Sequence, residues 1–271
     1  MNYKRMKIVI FKGGLGNQIF QFVIFEYLKS LKFNNIFGFY DKKALNHGGL
    51  LLNKCFSNLE LPKNNFISNL VVIKYKIIRK ILGLNKIDKK DEFRLDSVIY
   101  DGYWQNLKYF SKDIHKKLIF KKPSDKKNLE ILDIIKSTNS ISVHIRRGDY
   151  LNNISVYGNI CTSEYYNKAI NLISQKVKDP EFFFFSDDIN WVKENLEVNK
   201  SHYIDWNHGD NSYIDMYLMT QCKHNIIANS TFSWWGAYLN NNDNKVVVCP
   251  HKWFNEEINE INLIPVDWIK I

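Results

Sequence analysis

Apolar positions along the chain change period several times, and each change marks an element. "MKIVIF" (residues 6–11) is a short β-branched run that breaks at Gly13-Gly14-Leu15-Gly16, and a long apolar segment follows from Asn17 to about Phe33. This reads as strand, glycine turn, helix. Ile36 to Tyr40 predicts a second strand, followed by a loop containing His47, Gly48 and Gly49. From Leu70 to Leu84 apolar residues alternate with Lys74, Lys76, Arg79 and Lys80, and Lys86, Lys89 and Lys90 follow. Two readings stand for that basic helix: one lying on an anionic membrane surface, or one partly buried with a solvated lysine face. "SVIYDGYWQN" (97–106) predicts a strand running into a turn, and helical patterns follow at about 107–119 and 125–137, separated by Pro123.

From Ser140 the rhythm is regular. Strands are expected at 140–145, 181–186, 225–228 and 245–249, interleaved with helices near 163–178, 188–196, 212–222 and 232–240. Such alternation implies parallel strands joined by right-handed crossovers, a doubly wound sheet whose ligands bind beyond the carboxyl ends of the strands. The domain boundary is expected near Lys136 to Ser140, dividing the chain into 1–138 and 139–271. The first strand–turn–helix also suits a Rossmann-like start, although its glycines miss the G-x-G-x-x-G spacing, and a tight turn would need them equally.

Composition bounds the function. The 271 residues are 45% hydrophobic and 24% charged, a soluble globular mix, and no apolar run approaches the ~20 residues of a bilayer span. The N-terminus shows no signal-peptide pattern, so a cytosolic protein is expected. The four cysteines have no CxxC pair and read as free thiols, and the seven histidines lack HExxH spacing. The net charge of +10 is uneven: residues 1–140 carry 27 Lys+Arg against 12 Asp+Glu, whereas residues 141–271 carry 11 against 16. A basic half suits an anionic partner, or simply keeps the protein soluble.

Chemistry gathers where strands end. "SVHIRRGDY" places His144, Arg146, Arg147 and Asp149 past an apolar strand. A guanidinium fork matches phosphate oxygens with two parallel bonds, while alternation sends Arg146 and Arg147 to opposite faces, so that one meets a ligand and the other pairs with a carboxylate such as Asp149 or Asp187. "FFFFSDD" ends in Asp187 and Asp188, the latter placed as a helix N-cap. "NIIANSTFSWWGAYLN" passes through Asn229, Ser230 and Thr231 into a helix, where hydroxyls and free N–H groups cradle an anion or simply cap the helix. Together these describe a diphosphate site. The lack of GxxxxGK[ST] argues against an ATPase or kinase, and without a DxD triplet the diphosphate is expected to be handled without metal; no other cofactor is expected. Trp104 beside Gln105 offers a sugar-stacking surface, with core packing as the alternative.

"GGLGNQIFQF", "DGYWQNLKYF", "VHIRRGDY", "TSEYYNKAI", "FFFFSDD", "SYIDMYLMTQC" and "NSTFSWWGAYLN" together resemble the α-1,2-fucosyltransferases of glycosyltransferase family 11, from residue 13 to residue 254. The resemblance implies an α/β fold of GT-B type, two Rossmann-like domains facing across a cleft, the N-terminal one on the acceptor side and the C-terminal one holding GDP-β-L-fucose. It implies inverting transfer of L-fucose to the 2-hydroxyl of a galactose-containing glycan. Arg146 would take the β-phosphate and His144 would line the nucleotide pocket, with Arg147 beside it. Asp215 would accept hydrogen bonds from guanine, and Asn229, Ser230, Thr231 and Ser233 would lie at the phosphates or ribose. Gly14, Asn17 and Gln18 would close over the substrates, and Asp149 is the candidate base. The high Asn, Lys and Ile content suggests an AT-rich bacterial genome, hence a surface-polysaccharide acceptor, lipid-linked at the inner membrane, with the basic half meeting that membrane. The rivals are a GT-B transferase for another nucleotide sugar and a basic nucleic-acid-binding protein. The second leaves the polar strand ends unexplained, so no nucleic-acid partner is expected.

Overall fold

The computed structural model describes the chain except residues 1–5, 44, 46–48, 84–92 and 256–261. His47, Gly48, Leu84, Lys86, Lys89 and Lys90 therefore lie outside the described residues. The chain forms two compact units, residues 1–120 with 260–263 and residues 121–259 with 264–271.

In the first unit, β1 (Lys7–Phe11) leads through the glycine turn into α1 (Leu15–Ser30) and then β2 (Ile36–Tyr40). The one-turn α2 (Leu52–Cys55), the long α3 (Phe66–Ile81), the two-residue β3 (Ile99–Tyr100) and α4 (Ile114–Lys117) follow. β1 pairs in parallel with β2 on one side and β3 on the other, giving the order β2-β1-β3. As the middle strand of a parallel sheet, β1 is buried along its whole length. α1 is apolar on nearly every face and is correspondingly buried.

α3 starts at a capping box in which the Asn65 side-chain Oδ1 accepts from the Ser68 N–H at 2.7 Å and the Ser68 hydroxyl accepts from the Asn65 N–H. It packs through Val72 against Ile8 and Ile10 of the sheet. Lys74 and Lys80 are turned to water as the solvated-face reading expects, but apolar side chains share that exposure. Lys76 is half-buried, paired with Asp41 and lying over Phe39, while Phe66, Ile73, Ile77 and Ile81 are exposed. The helix expected over 107–119 is a 3-10 turn (Leu107–Tyr109), extended backbone at Phe110 and then α4. The Leu107 N–H is held by the carbonyl of Asn262 rather than by its own helix.

The second unit begins with α5 (Lys126–Ser137), capped by Asp125, and β4 (Asn139–Ile145). Next come α6 (Gly148–Leu151), α7 (Ser163–Lys176), β5 (Pro180–Ser186), α8 (Ile189–Asn195) and β6 (Ser201–Ile204). The unit closes with α9 (Tyr213–Gln221), β7 (His224–Ile226), α10 (Thr231–Tyr238), β8 (Val247–Cys249) and β9 (Ile269–Lys270). All neighbours pair in parallel in the order β6-β5-β4-β7-β8-β9. The chain moves outward from β4 through β5 to β6 and then returns to the opposite side of β4, so the switch point lies between β4 and β7.

The run of four phenylalanines is explained by the pleat: Phe182 and Phe184 enter the core formed with α7 and α8, while their neighbours face the other side of the sheet. α5 packs on β4 and α9, so the division between units falls at Phe120/Lys121, before the expected 138/139. Among the described residues no helix is long and apolar enough to cross a membrane.

Candidate active site

The residues beyond β4 are held by carboxylates that arrive from β5. Asp187 follows β5, which lies beside β4 in register from Asn139↔Pro180 to Ile145↔Ser186. Its carboxylate accepts from the backbone N–H of Arg147 at 2.9 Å and of Gly148 at 3.2 Å, and pairs with Arg146 Nη1 at 3.1 Å. A Cβ at residue 148 would meet Asp187 Oδ2 at 2.9 Å, so this close approach is why glycine stands there. Arg146 Nε donates to Asp149 Oδ1 at 2.8 Å. Burial opposes the charge on Arg146, but the Asp187 and Asp149 carboxylates outweigh it and the net shift of its pKa is upward.

Asp149 and Asp187, the expected partners of the arginine that does not meet the ligand, are both taken by Arg146, and Arg147 turns elsewhere. Its Nε donates to Asp188 Oδ2 at 3.1 Å, and its guanidinium lies 4.2 Å from the centre of the Trp191 ring. Asp188 also caps α8 through the Trp191 N–H. Arg147 is thus tied into α8, and Arg146 is the arginine at the switch point.

Tyrosines fix the strand ends on either side of that point. Tyr166 donates to the carbonyl of His144, Tyr165 to that of Ile227 and Tyr150 to that of Asn229. His144 is buried with its ring 5.6 Å from that of Phe232 on α10, and its Nδ1 has no hydrogen-bond partner. Burial, helped by the charge of Arg146, pushes its pKa down to about 3, so the imidazole is neutral at physiological pH. Ser230 caps α10 by accepting from the Phe232 N–H, and Thr231 opens the helix half-exposed. The helix start, with its free N–H groups and positive dipole end, therefore lies on the β7 side of the switch point.

Two expected ligand contacts in this stretch are internal. Asn229 gives its amide to the carbonyls of Tyr157 and Trp253 and receives the Cys161 thiol on Oδ1. Ser233 is buried, its hydroxyl donating to the Ser230 carbonyl. Both hold the loop rather than face outward.

Asp215 belongs to a second polar network. Its Oδ1 accepts from Asn207 Nδ2 at 2.7 Å, and Asn207 exchanges hydrogen bonds with Asn128 at 2.8 and 3.0 Å. Trp206 Nε1 donates to the same Asn128 carbonyl at 3.0 Å. Burial raises the Asp215 pKa to about 8 against the opposing bond from Asn207. Asn128 and Asn207 carried no sequence signal, because an isolated asparagine marks a turn as readily as a network.

In the first unit the glycine turn is built on glutamines. Gln18 is fully buried: Nε2 donates to the carbonyls of Gly13 (3.0 Å) and Gly49 (2.9 Å), and Oε1 accepts from the Leu51 N–H (2.9 Å). Gln21 accepts from the Lys12 N–H and donates to the carbonyls of Lys12 and Gly102. Gln18 is therefore a structural clamp, correcting its expected place in the substrate loop. Gly13 has φ +77°, which favours glycine, and Gly14 precedes α1 with no side-chain cap.

Asn17 accepts from Gln105 Nε2 at 3.1 Å. Trp104 offers no stacking surface: it is buried in an aromatic cluster with Phe93, Tyr100 and Tyr109 at ring-centre distances of 5.9 to 6.4 Å. The packing alternative weighed for it is the one realised.

Comparison with known proteins agrees with this geometry. The sequence model of glycosyl transferase family 11 matches residues 3–271. An α-1,2-colitosyltransferase of Escherichia coli is 35% identical over 298 residues, spanning 98% of this chain and 99% of its own length. The O-antigen biosynthesis glycosyltransferase WbnK of Escherichia coli is 43% identical over 142 residues, 51% of this chain and 46% of its own. Galactoside α-(1,2)-fucosyltransferase 1 of Saimiri boliviensis boliviensis is 32% identical over 107 residues, 38% of this chain and 29% of its own. Among solved structures, the fucosyltransferase NodZ from Bradyrhizobium has a TM-score of 0.53 at 13% identity, covering 86% of this chain and 91% of its own. That likeness bears on the fold alone and agrees with an α/β architecture of GT-B type. With the family match running over nearly the whole sequence and a relative at 35% identity from end to end, the chain belongs to glycosyltransferase family 11.

Proposed function

We propose that this family 11 glycosyltransferase moves L-fucose from GDP-β-L-fucose to the 2-hydroxyl of a terminal galactose, with inversion, the donor being held by the second unit. The observation that carries the reading is the pairing, at one switch point, of a half-buried charged guanidinium on Arg146 with the start of α10. As the C1–O bond breaks, negative charge grows on the β-phosphate of GDP, and both groups stabilise it without a proton transfer. Neutral His144 adds no second cation but offers one ring nitrogen to the nucleotide. Ser230 and Thr231 line the phosphates, and Arg147 holds α8 against the strand end. Asp215 receives hydrogen bonds from guanine N1 and N2.

Asp149 remains the proposed base from its place beyond the strand, although one of its oxygens positions Arg146. Asp149→Asn separates the two roles: the amide still accepts from Nε but takes no proton, so a base predicts loss of transfer and a positioning group predicts retention.

A second reading, transfer of colitose, is favoured by the full-length colitosyltransferase relative. Incubation with GDP-fucose, and separately with nucleotide-activated colitose, over an array of galactosides tests both. Linkage analysis of a 2-O-fucosyl product supports the first reading. Turnover of colitose alone supports the second, and turnover of neither overturns both. The O-antigen role in the name of the WbnK relative favours a bacterial polysaccharide acceptor.

A further inference from the structure

α3 is amphipathic in the reverse sense to an ordinary surface helix. Its inward side is Ser68, Val72 and Tyr75, whereas Phe66, Leu70, Ile73, Ile77 and Ile81 are between 48% and 77% exposed. At 100° per residue these five fall within an arc of about 80°, a continuous stripe of about 24 Å along the helix. With Ile67 and Ile78, which are also exposed, the apolar face widens to about 140°; Lys80 edges it about 20° beyond Ile73, and Lys74 stands within it, about 20° beyond Ile81. The helix contains no Asp or Glu. Residues 1–120 as a whole carry 22 Lys+Arg against 9 Asp+Glu, a net charge of +13.

A long exposed apolar stripe marks a docking surface, and the charges on it decide its occupant. Were a second copy to pair along this stripe, both helices would bring lysines into the contact with no acid opposite, a repulsive seam. An anionic bilayer resolves both features. The stripe inserts at the level of the headgroups and acyl chains, and the lysine stems run along it to place their ammonium groups among lipid phosphates. We infer that the exposed face of α3 docks the protein on anionic phospholipid, as a peripheral interfacial helix.

Co-sedimentation of the full chain with vesicles tests this. One set contains phosphatidylglycerol and phosphatidylcholine in equal parts, the other phosphatidylcholine alone. The chain is expected to pellet with the first set, much less with the second, and less as salt rises. Replacing Ile73→Glu together with Ile77→Glu should lower partitioning more than about tenfold, and Lys74→Ser with Lys80→Ser by about twentyfold. Circular dichroism melting should match the wild type, since all four side chains point to water. Should the glutamate pair melt lower, Ile73→Ser with Ile77→Ser replaces it. A wild-type chain that stays in the supernatant, or variants that pellet as well as it does, overturns the inference. So does a dimer in sedimentation velocity that the Ile variants dissociate while no vesicle binding is seen, since that assigns the face to a second copy.

Discussion

The two strand-to-helix junctions, β1 to α1 in the first unit and β4 to α6 in the second, solve one geometric problem with different chemistry. Each must stop a buried parallel strand and turn the chain while satisfying the backbone groups freed there. At the first junction the partners are neutral amides, Gln18 and Gln21, which hold the carbonyls of Gly13, Gly49, Lys12 and Gly102. At the second the partner is the carboxylate of Asp187, which holds two N–H groups and a guanidinium together. The first junction also carries a cation, Lys12, buried and paired with the single carboxylate of Asp101 at 2.5 Å, so what sets the second apart is the number of carboxylates gathered on one guanidinium. The second places a half-buried guanidinium at the strand end between two carboxylates, an arrangement that adds little stability of its own unless the cation is wanted for an anionic ligand.

Four substitutions or conditions sharpen this contrast, from the largest expected effect to the smallest. Gln18→Leu preserves volume but leaves two carbonyls and the Leu51 N–H without their partner, and should lower stability by about 3 kcal/mol in urea unfolding. Arg146→Ala should slow transfer roughly a hundredfold, about 3 kcal/mol of transition-state stabilisation, in steady-state assays of kcat, with a smaller change in KM. Restoration of the rate by lysine would show that a point charge suffices and that the fork is not needed.

His144 contributes through pH. Its folded pKa, about 3, lies below the unfolded 6.5, so its contribution is complete above 6.5 and declines as pH falls towards about 3. Between pH 7 and pH 5 the wild type should lose about 2 kcal/mol that His144→Asn does not lose, measured by urea unfolding at each pH. Arg147→Ala removes a half-exposed ion pair and a contact with Trp191 and should lower the melting stability by only about 1 kcal/mol, with transfer little changed. If Arg147→Ala abolished transfer while Arg146→Ala did not, the division of labour between the two arginines would be reversed.

Much of this was legible along the chain. β2 spans the expected Ile36–Tyr40, and the regular alternation after Ser140 gave the parallel sheet, because hydrophobic period, turn residues and caps are local properties. β6 and β9 were not foreseen, since four and two residues carry no period and exist only through pairing with β5 and β8. The sequence by itself determined the family motifs and the place of Arg146 beyond β4, because an apolar run and the polar residues that end it are local. Only the tertiary structure decided that Asp187, forty-one residues on, would hold Arg146, that Gln18 and Trp104 would be buried, and that α3 would turn its apolar stripe outward. Those outcomes depend on which distant segments are neighbours, and a parallel sheet sets its neighbours through long crossovers that leave no trace in local pattern.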